Sequence, residues 1–366
     1  MNHALDMGLD DWSDLLETLK LPKYRGKQIM AWIFKKLVLD PQCMTNIPEN
    51  LRNKLAEHVD FTVPQIRDRL EGHDGTTKLL LETSKGFPME TVIMRYPGRT
   101  ALCVSSQVGC RLACSFCQTG KMGLVHNLKQ SEILSQLVAA NEILRESDPD
   151  RKISHVVFMG MGEPLDNYDA AIGAANTMMD PLGFGLSPKH VTISTSGIVP
   201  KIERLATECE ASFALSLHAA RDSLRNELMP IGRRYPLEQL KQSLLTYQAA
   251  TNRKITLEYI LIKDKNCGRR EVKELVKFIH GLKVKVNLIP FNSHPGMPYE
   301  RPSDEAIREF QQYLAKRSIP APVRYSKGLD VSAACGQLAA KHQDNLVSSP
   351  DRKNIIDFKI ASATLR

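Results

Sequence analysis

The sequence predicts an α/β fold with parallel strands, and three observations support this prediction. From about residue 99 to 326, β-rich runs alternate with stretches of helical periodicity. Polar and glycine-rich residues follow successive runs, where an α/β fold places its loops. The chain has 366 residues, 42% of them hydrophobic, which is enough for a sizeable core. Six strand–helix units can form either a partial barrel or a doubly wound sheet.

The individual elements follow from periodicity and from the turn residues between them. Strands are predicted at 101–105, 154–159, 190–195, 211–217, 255–262 and 284–289. Helices are predicted near 131–146, 168–179, 199–208, 237–250 and 269–281. Ser131 is the predicted N-cap of the first helix, whose apolar residues recur along one face.

Four segments are predicted along the chain. Residues 1–60 have short helical patterns broken by prolines and predict a small helical accessory domain. Residues 61–98 predict a short β-rich connecting segment, and 99–326 contain the strand–helix units. Residues 327–366 predict a C-terminal loop and a polar tail.

Charge and hydropathy limit the classes of protein. No apolar run reaches the roughly 18 residues of a membrane span, and the polar, acidic start of the chain does not resemble a secretory signal. We therefore expect a cytoplasmic protein without membrane association, in which eight cysteines are ligands or reactive thiols rather than structural disulfides. The net charge of +8 suits a polyanionic partner such as nucleic acid.

The motifs concentrate at the ends of the predicted strands. The first strand is followed by a cysteine-rich loop, the second by Gly160–Pro164, and the third by Ser194–Gly197. The fourth ends in Ser216-Leu217-His218, and the sixth runs into Asn292. Because the carboxyl ends of barrel strands meet on one face, these residues predict an active site there.

The cysteine-rich loop has the spacing C-x3-C-x2-C, formed by Cys110, Cys114 and Cys117. Three thiolates in one loop can hold three corners of a [4Fe–4S] cluster and leave the fourth iron open to a small molecule. A structural zinc is the alternative, because Cys103 or Cys335 could supply a fourth ligand.

At these residues the sequence resembles the radical S-adenosylmethionine superfamily, whose signature is this cysteine spacing. The resemblance is more specific to the RlmN/Cfr group of RNA adenine methyltransferases and extends from about Tyr24 to Leu338. Its motifs appear in order: Cys103–Cys110, Gly160–Leu165, Ser216–Ala219 and Ala333–Leu338. Gln118 departs from the pattern, since a smaller residue is expected after the third cysteine. The implied fold is a partial (β/α)6 TIM-like radical SAM barrel with an N-terminal helical domain.

The resemblance also implies roles for individual residues. The residues expected to contact S-adenosylmethionine are Gly162, Glu163, Ser194, Ser216, Leu217, His218 and Asn292. Cys335 would be methylated by one S-adenosylmethionine, and a second would yield a 5′-deoxyadenosyl radical that removes a hydrogen from the S-methyl group. Glu90 would accept the proton released by the base, and Cys103 would free the product by forming a disulfide with Cys335.

The implied substrates are C2 of an adenine in 23S ribosomal RNA and an adenine of the tRNA anticodon loop. Cfr-like methylation at C8 remains the alternative, as does a zinc-stabilised RNA-binding module without catalysis. We expect a monomer that receives electrons from a donor such as flavodoxin. A basic helix with aromatics at 24–36 could contact the RNA backbone, or it could be the solvated face of a small helical domain.

Overall fold

A computed structural model of the chain describes residues 1–293 and 296–339. Its strands, in chain order, are β1 (Asn2–His3), β2 (Val59–Asp60), β3 (Gln65–Glu71), β4 (Thr76–Glu82), β5 (Pro88–Tyr96), β6 (Arg99–Cys103), β7 (Gln107–Cys110), β8 (Gly123–Asn127), β9 (His155–Phe158), β10 (Val191–Thr195), β11 (Ser212–Ser216), β12 (Ile255–Leu261) and β13 (Val284–Pro290). Its α-helices are α1 (Leu9–Thr18), α2 (Arg25–Met30), α3 (Glu49–His58), α4 (Gln118–Met122), α5 (Gln130–Ser147), α6 (Tyr168–Met179), α7 (Val199–Glu208), α8 (Asp222–Leu228), α9 (Leu237–Thr251), α10 (Arg269–Ile279) and α11 (Asp304–Ala315).

The central sheet contains six parallel strands in the order β6-β9-β10-β11-β12-β13. The order follows the chain and never reverses. Since each crossover is right-handed, successive steps in one direction put all the helices on the same face of the sheet. That arrangement is a partial barrel, whereas a doubly wound sheet requires a reversal of strand order. The predicted α/β fold is therefore confirmed.

Several predicted boundaries agree with the structure, and one detail was wrong. The helices predicted at 168–179 and 199–208 have those bounds in the structure. Ser131 is not the N-cap of α5, because the helix begins at Gln130 and Lys129 occupies the cap position. The carboxylate of Glu132 accepts a hydrogen bond from the Lys129 backbone N–H at 2.8 Å, which fixes the start of the helix one turn ahead of the apolar stripe.

The strands of segment 61–98 extend the same sheet. β3, β4 and β5 pair antiparallel in the order β6-β5-β4-β3, so the described residues give this sheet nine strands. The register places Val92 beside Cys103 and Leu80 beside Glu90. Because side chains alternate along a strand, Glu90 and Val92 point to the same side of the sheet as Cys103.

The first 60 residues form short helices, with β1 and β2 pairing in parallel. The turn Ala4–Asp6 packs against α5 of the barrel. The aromatics of the 24–36 region divide between core and surface, since Trp32 and Phe34 are buried while Tyr24 is exposed. Its lysines, by contrast, are exposed at Lys27, Lys35 and Lys36.

Residues 326–339 form the C-terminal strap, which crosses the sheet from β3–β4 to the cysteine loop. Gly328 donates a backbone hydrogen bond to Asp74 Oδ2 at 2.9 Å, and the Gly336 carbonyl accepts one from Gln118 N–H at 2.8 Å. The rest of the predicted C-terminal segment, 340–366, lies outside the described residues. Within the described part of the chain, no helix has the length and apolar character needed to cross a bilayer.

Candidate active site

The cysteines of the C-x3-C-x2-C loop run from Cys110, the last residue of β7, to Cys117, the N-cap of α4. β7 pairs with β8 in a hairpin that returns the chain beside the loop. Gly109 has φ +74°, and a Cβ there would collide with the Gly123 carbonyl, so only glycine fits this crossing. Cys110, Cys114 and Cys117 all line the same pocket at the carboxyl ends of the parallel strands.

The protonation of these thiols depends on what they bind. Burial raises the pKa of Cys110 to about 12, and it also raises the pKa of Cys114 and Cys117. Without a metal all three would therefore be neutral thiols at pH 7, although each retains some accessible surface. Iron supplies the positive charge that holds such groups as thiolates, so a donor set of three sulfurs at a pocket wall fits a cluster.

A single metal ion fits the loop less well. In residues 1–293 and 296–339 no three His, Cys, Asp or Glu side chains are grouped so that they could hold one ion. In a cubane cluster each cysteine binds a different iron, so the sulfurs need not converge on one point. The spacing of the donors thus favours the cluster over a structural zinc.

An apolar cluster packs against the cysteine loop. Cys114 and Cys117 pack against a cluster of buried residues from the loop, from α8 and the residue after it, and from the ends of β11, β12 and β13, namely Phe116, Ala219, Leu224, Leu228, Met229, Ile260, Ile262 and Phe291. This packing limits the contact of water with one side of the loop. Solvent access and hydrogen bonds both affect the reduction potential of an iron–sulfur cluster.

Gly162 and Glu163 lie where β9 ends. Gly162 has φ +98°, and a Cβ there would lie 2.6 Å from Gln107 Cβ. The Glu163 carboxylate accepts backbone hydrogen bonds from Ser196 at 2.8 Å and Leu165 at 3.1 Å. Burial raises the pKa of Glu163, while these hydrogen bonds act in the opposite direction. The fixed carboxylate at the pocket wall could receive an ammonium group.

Ser194, Ser216 and His218 come from neighbouring strand ends and also line the pocket. The two serine hydroxyls are 3.5 Å apart. His218 has φ +56°, and its Nδ1 accepts the Ile260 N–H at 3.0 Å. Burial lowers the pKa of His218 to about 3, so the ring is neutral and carries its proton on Nε2.

Two predicted contact residues do not line the pocket. The Leu217 side chain belongs to the hydrophobic core, and its backbone N–H donates to the Glu258 carbonyl at 3.0 Å. Asn292 is buried, and its Nδ2 donates to Ser326 Oγ at 2.8 Å at the start of the strap. Asn292 therefore connects the end of β13 to the strap.

Cys335 is held in the pocket by the strap. Its side chain is exposed and forms part of the pocket wall. Burial raises its pKa to about 11, with smaller contributions from Glu258 and Cys117. The thiol is therefore reachable by a small molecule but is protonated at neutral pH.

Cys103 and Glu90 lie beside the pocket, on β6 and β5, rather than in its wall. Burial raises the pKa of Cys103, and the neighbouring Cys335 thiol raises it further. The Glu90 carboxylate forms a buried ion pair with Lys78 at 3.1 Å. Lys78 Nζ also donates to the Ser332 carbonyl at 3.4 Å, so it joins β5 to the strap.

Sequence reasoning missed Lys78, Glu258 and Arg225. Glu258 lines the pocket from β12, where Asn287 Nδ2 donates to its carboxylate at 2.9 Å. A signal for it existed, because a lone carboxylate within the apolar run Ile255–Leu261 must have a buried partner. The short helix that carries Arg225 gives no comparable signal.

Two family models match the chain. The radical SAM superfamily matches residues 104–279, which hold the cysteine loop and most of the parallel strands. The ribosomal RNA large subunit methyltransferase N-terminal domain matches residues 3–60.

Relatives of similar length exist. The chain is 42% identical over 346 residues to a probable dual-specificity RNA methyltransferase RlmN from Dictyoglomus turgidum, covering 94% of this chain and 99% of that protein. It is 42% identical to the dual-specificity RNA methyltransferase RlmN of Francisella tularensis, with 88% of both chains covered. A crystal structure of a radical SAM methyltransferase from Sphaerobacter thermophilus superposes with a TM-score of 0.89 at 42% identity, covering 93% of this chain and all of that one.

Proposed function

The chain belongs to the RlmN family of radical SAM RNA methyltransferases, and from that premise we propose that it methylates C2 of an adenine in 23S ribosomal RNA and in the tRNA anticodon loop. One observation carries the proposal. A single pocket gathers three thiols, a fixed carboxylate and the separate thiol of Cys335. The first four groups serve a cluster and S-adenosylmethionine, and only the last can carry a methyl group.

Cys110, Cys114 and Cys117 hold the [4Fe–4S] cluster in this proposal, and Glu163 receives the ammonium of S-adenosylmethionine. When bound and reduced, such a cluster would supply the electron that cleaves S-adenosylmethionine to the 5′-deoxyadenosyl radical. Ser194, Ser216 and the Nε2–H of His218 are within the same pocket and orient the rest of that molecule. Leu217 contributes to the pocket through its backbone N–H, which is bonded to the Glu258 carbonyl. Asn292 contributes by linking the end of β13 to the strap through Ser326.

Cys335 acts first. Its thiol loses a proton and attacks the sulfonium methyl group, which breaks the C–S bond and leaves S-methylcysteine and S-adenosylhomocysteine. The cationic sulfonium beside the sulfur opposes the burial that otherwise keeps the thiol protonated. A second S-adenosylmethionine is consumed when a hydrogen is removed from the S-methyl group, so each turnover uses two.

Glu90 and Cys103 finish the reaction. After the carbon of the S-methyl group has bonded to C2, Glu90 accepts the proton that C2 loses. The Lys78 ammonium lies 3.1 Å from that carboxylate and forms a buried ion pair with it. The adduct also gives up one electron, which the cluster would accept. Attack of the Cys103 thiolate on the Cys335 sulfur then breaks the S–C bond, the released carbon takes up a proton to become the methyl group, and the two cysteines are left as a disulfide.

Iron content tests the cluster. Protein reconstituted without oxygen should bind about four iron atoms per chain, and Cys114→Ser should lose most of them. Cys43→Ser is the matched control, because Cys43 is exposed on the N-terminal helices and should leave the iron unchanged. A colourless protein that holds only zinc would overturn the radical mechanism.

Nucleoside analysis tests the product. Ribosomal RNA and tRNA from cells lacking the methyltransferase should gain 2-methyladenosine when incubated with the protein, S-adenosylmethionine and a flavodoxin-type electron donor. Formation of 8-methyladenosine instead would identify Cfr-like chemistry. Methylation of ribosomal RNA alone would remove tRNA from the proposal.

Cysteine variants separate the two thiols. Cys335→Ala should abolish methylation at the first step and keep its iron. Cys103→Ala should still be methylated on Cys335 and still add to the base, so an RNase-sensitive band of protein bound to RNA should appear on denaturing gels. A wild-type enzyme whose Cys335 is never methylated would refute the two-thiol mechanism.

The RNA backbone contacts the exposed lysines of the N-terminal helices in our proposal. Replacing Lys27, Lys35 and Lys36 by glutamine should reduce the slope of log affinity against log salt by about 2–3. Lys273 and Lys277 on α10 are the control, because they are exposed beyond the opposite edge of the parallel sheet. An unchanged slope would place the RNA elsewhere.

We further propose that the enzyme acts as a monomer in the cytoplasm, where its RNA substrates and reduced thiols are found. Sedimentation of the reconstituted enzyme, with and without tRNA, tests the monomer. A stable dimer at assay concentrations would contradict it.

A further inference from the structure

Arg225 is buried beside the cysteine loop and is not fully paired. It lies on α8 and has no exposed surface. Its Nη2 donates to the Ser196 carbonyl at 2.6 Å. Within residues 1–293 and 296–339, its buried Nε and Nη1 have no hydrogen-bond partner. An unsatisfied guanidinium is costly in a protein interior, so it needs an anionic partner nearby.

Two glycines lie beside the Arg225 guanidinium, and a side chain at Gly232 would crowd it. A Cβ at Gly232 would lie 3.1 Å from Arg225 Nη1, and one at Gly197 would lie 3.4 Å from Nη2. Burial lowers the pKa of Arg225 to about 10, which still leaves it charged at neutral pH. The fold therefore accommodates a permanent cation at this position.

The geometry connects this cation to the cluster cysteines. One turn after Arg225, the Leu228 carbonyl accepts hydrogen bonds from the backbone N–H of Ser115 at 2.9 Å and from its hydroxyl at 3.3 Å. Ser115 follows Cys114 directly, so α8 is bonded to the loop beside a ligand. Burial raises the pKa of Cys114, and the charge of Arg225 acts against that rise.

We infer that Arg225 is a positioning residue that supplies a buried counter-charge to the iron–sulfur cluster and favours its reduced state. The inference rests on the proposed cluster. A cluster held by three thiolates gains negative charge when it accepts an electron, and a fixed cation in a poorly solvated site stabilises the more negative form. Without that cation, the same electron would have to come from a stronger reductant.

The test is a redox titration of the reconstituted protein with dithionite, followed by the EPR signal of the reduced cluster. Arg225→Met should bind the same amount of iron, and its one-electron reduction constant should fall at least tenfold, a shift of about 59 mV to lower potential. Arg221→Met is the matched control, because Arg221 is on the same segment, is partly exposed, and pairs with Glu271 at 3.4 Å. Its midpoint potential should equal that of the wild type.

If Arg225→Met does not fold, Arg225→Lys and Arg225→Gln replace it. The lysine keeps the charge, whereas the glutamine keeps only a donor for the Ser196 carbonyl. The glutamine variant should then show the lower potential, by at least tenfold in the reduction constant. Equal potentials in the charged and neutral variants would overturn the inference, while a wild type that binds no cluster would instead overturn the proposed function.

Discussion

Replacing Lys78 by methionine should destabilise the protein by about 4 kcal/mol at pH 7 but by only about 1 kcal/mol at pH 5. Lys78 and Glu90 form a buried ion pair, with side chains 6% and 4% exposed and 3.1 Å between Nζ and Oε1. Methionine keeps the unbranched shape of lysine and removes the charge. The Glu90 carboxylate then loses the Lys78 ammonium in a site that water reaches poorly.

The expected loss of stability follows from two alternatives for Glu90 in the variant: it stays charged without Lys78, or it becomes protonated. At 3.1 Å the ion pair has a Coulomb energy of about 5 kcal/mol at an effective dielectric constant of about 20. The variant can avoid that loss by protonating Glu90. From a reference pKa of about 4.3, protonation costs about 3.7 kcal/mol at pH 7 and about 1 kcal/mol at pH 5. The smaller number sets the cost.

The sign of the pH dependence is distinctive. Between pH 5 and 7 the native variant holds a proton on Glu90 that the unfolded carboxylate has lost. Lowering the pH therefore stabilises the variant relative to the wild type. The same proton makes Glu90 unable to accept another, so methylation should also fall at neutral pH.

Urea unfolding of the cluster-free protein at pH 5, 6 and 7 measures the effect. The double variant Lys78→Met/Glu90→Gln should show no such pH dependence, because neither side chain titrates. Lys85→Met, an exposed lysine in the β4–β5 connection, is the control and should change stability by less than about 0.5 kcal/mol. A Lys78→Met penalty that is equal at pH 5 and pH 7 would refute the reasoning.

Three further predictions concern the pocket. Burial lowers the pKa of His218 to about 3, so between pH 6.5 and 3 only the unfolded state takes up a proton on this ring. From pH 6.5 to 5, the free energy of unfolding in urea should therefore fall by about 2 kcal/mol less for His218→Asn than for the wild type. Equal losses would contradict the neutral ring. Burial raises the pKa of Cys335 to about 11, so the rate of its alkylation by iodoacetamide should rise about tenfold per pH unit from pH 8 to 10. Peptide mass analysis of cluster-free protein measures that rate. A rate that levels off near pH 9 would be inconsistent with this environment. Gly162→Ala places a Cβ 2.6 Å from Gln107 Cβ at φ +98°, whereas Gly86→Ala at φ +79° meets no atom within 4 Å. Urea unfolding should show that Gly86→Ala lowers the free energy of unfolding by about 1–2 kcal/mol and that Gly162→Ala lowers it clearly more. Equal losses would contradict the close packing at Gly162.

Local patterns were sufficient for the order of strands and helices. The helix at 168–179 could be predicted because the signals for it, its apolar spacing and the residues at its ends, are all local in the sequence. The cap of α5 could not, since Ser131 and Lys129 are both followed by suitable residues and the carboxylate of Glu132 selects between them. The pairing of β6 with β9 is also beyond local reasoning, because α5 and three other elements separate these strands in the sequence.

The site could be predicted as a set of positions but not as a set of directions. Motif order places Leu217 beside His218, yet one side chain enters the core and the other enters the pocket. Lys78 gave no signal, because the strap carbonyl it meets belongs to Ser332, which is 254 residues away in the sequence. Arg225 likewise depends on the Ser196 carbonyl, which belongs to a separate loop.

The attachments of the C-terminal strap limit how far the Cys335 sulfur can travel. The residue directly after it, Gly336, is bonded to Gln118 at the cysteine loop, and Gly328 is bonded to Asp74 at the far end. Successive Cα atoms are only about 3.8 Å apart, so the thiol stays at the pocket wall while these bonds persist.

The RNA must therefore make the longer movement. An adenine can reach this sulfur only if it leaves its stack and enters the protein, at a cost of a few kcal/mol that is smallest in already open structures. Selection of the target nucleotide then depends on how easily it can be extruded, more than on the identity of the neighbouring bases. Two RNAs with little sequence in common could share one pocket on that basis, provided that each presents an adenine in a loop that opens readily.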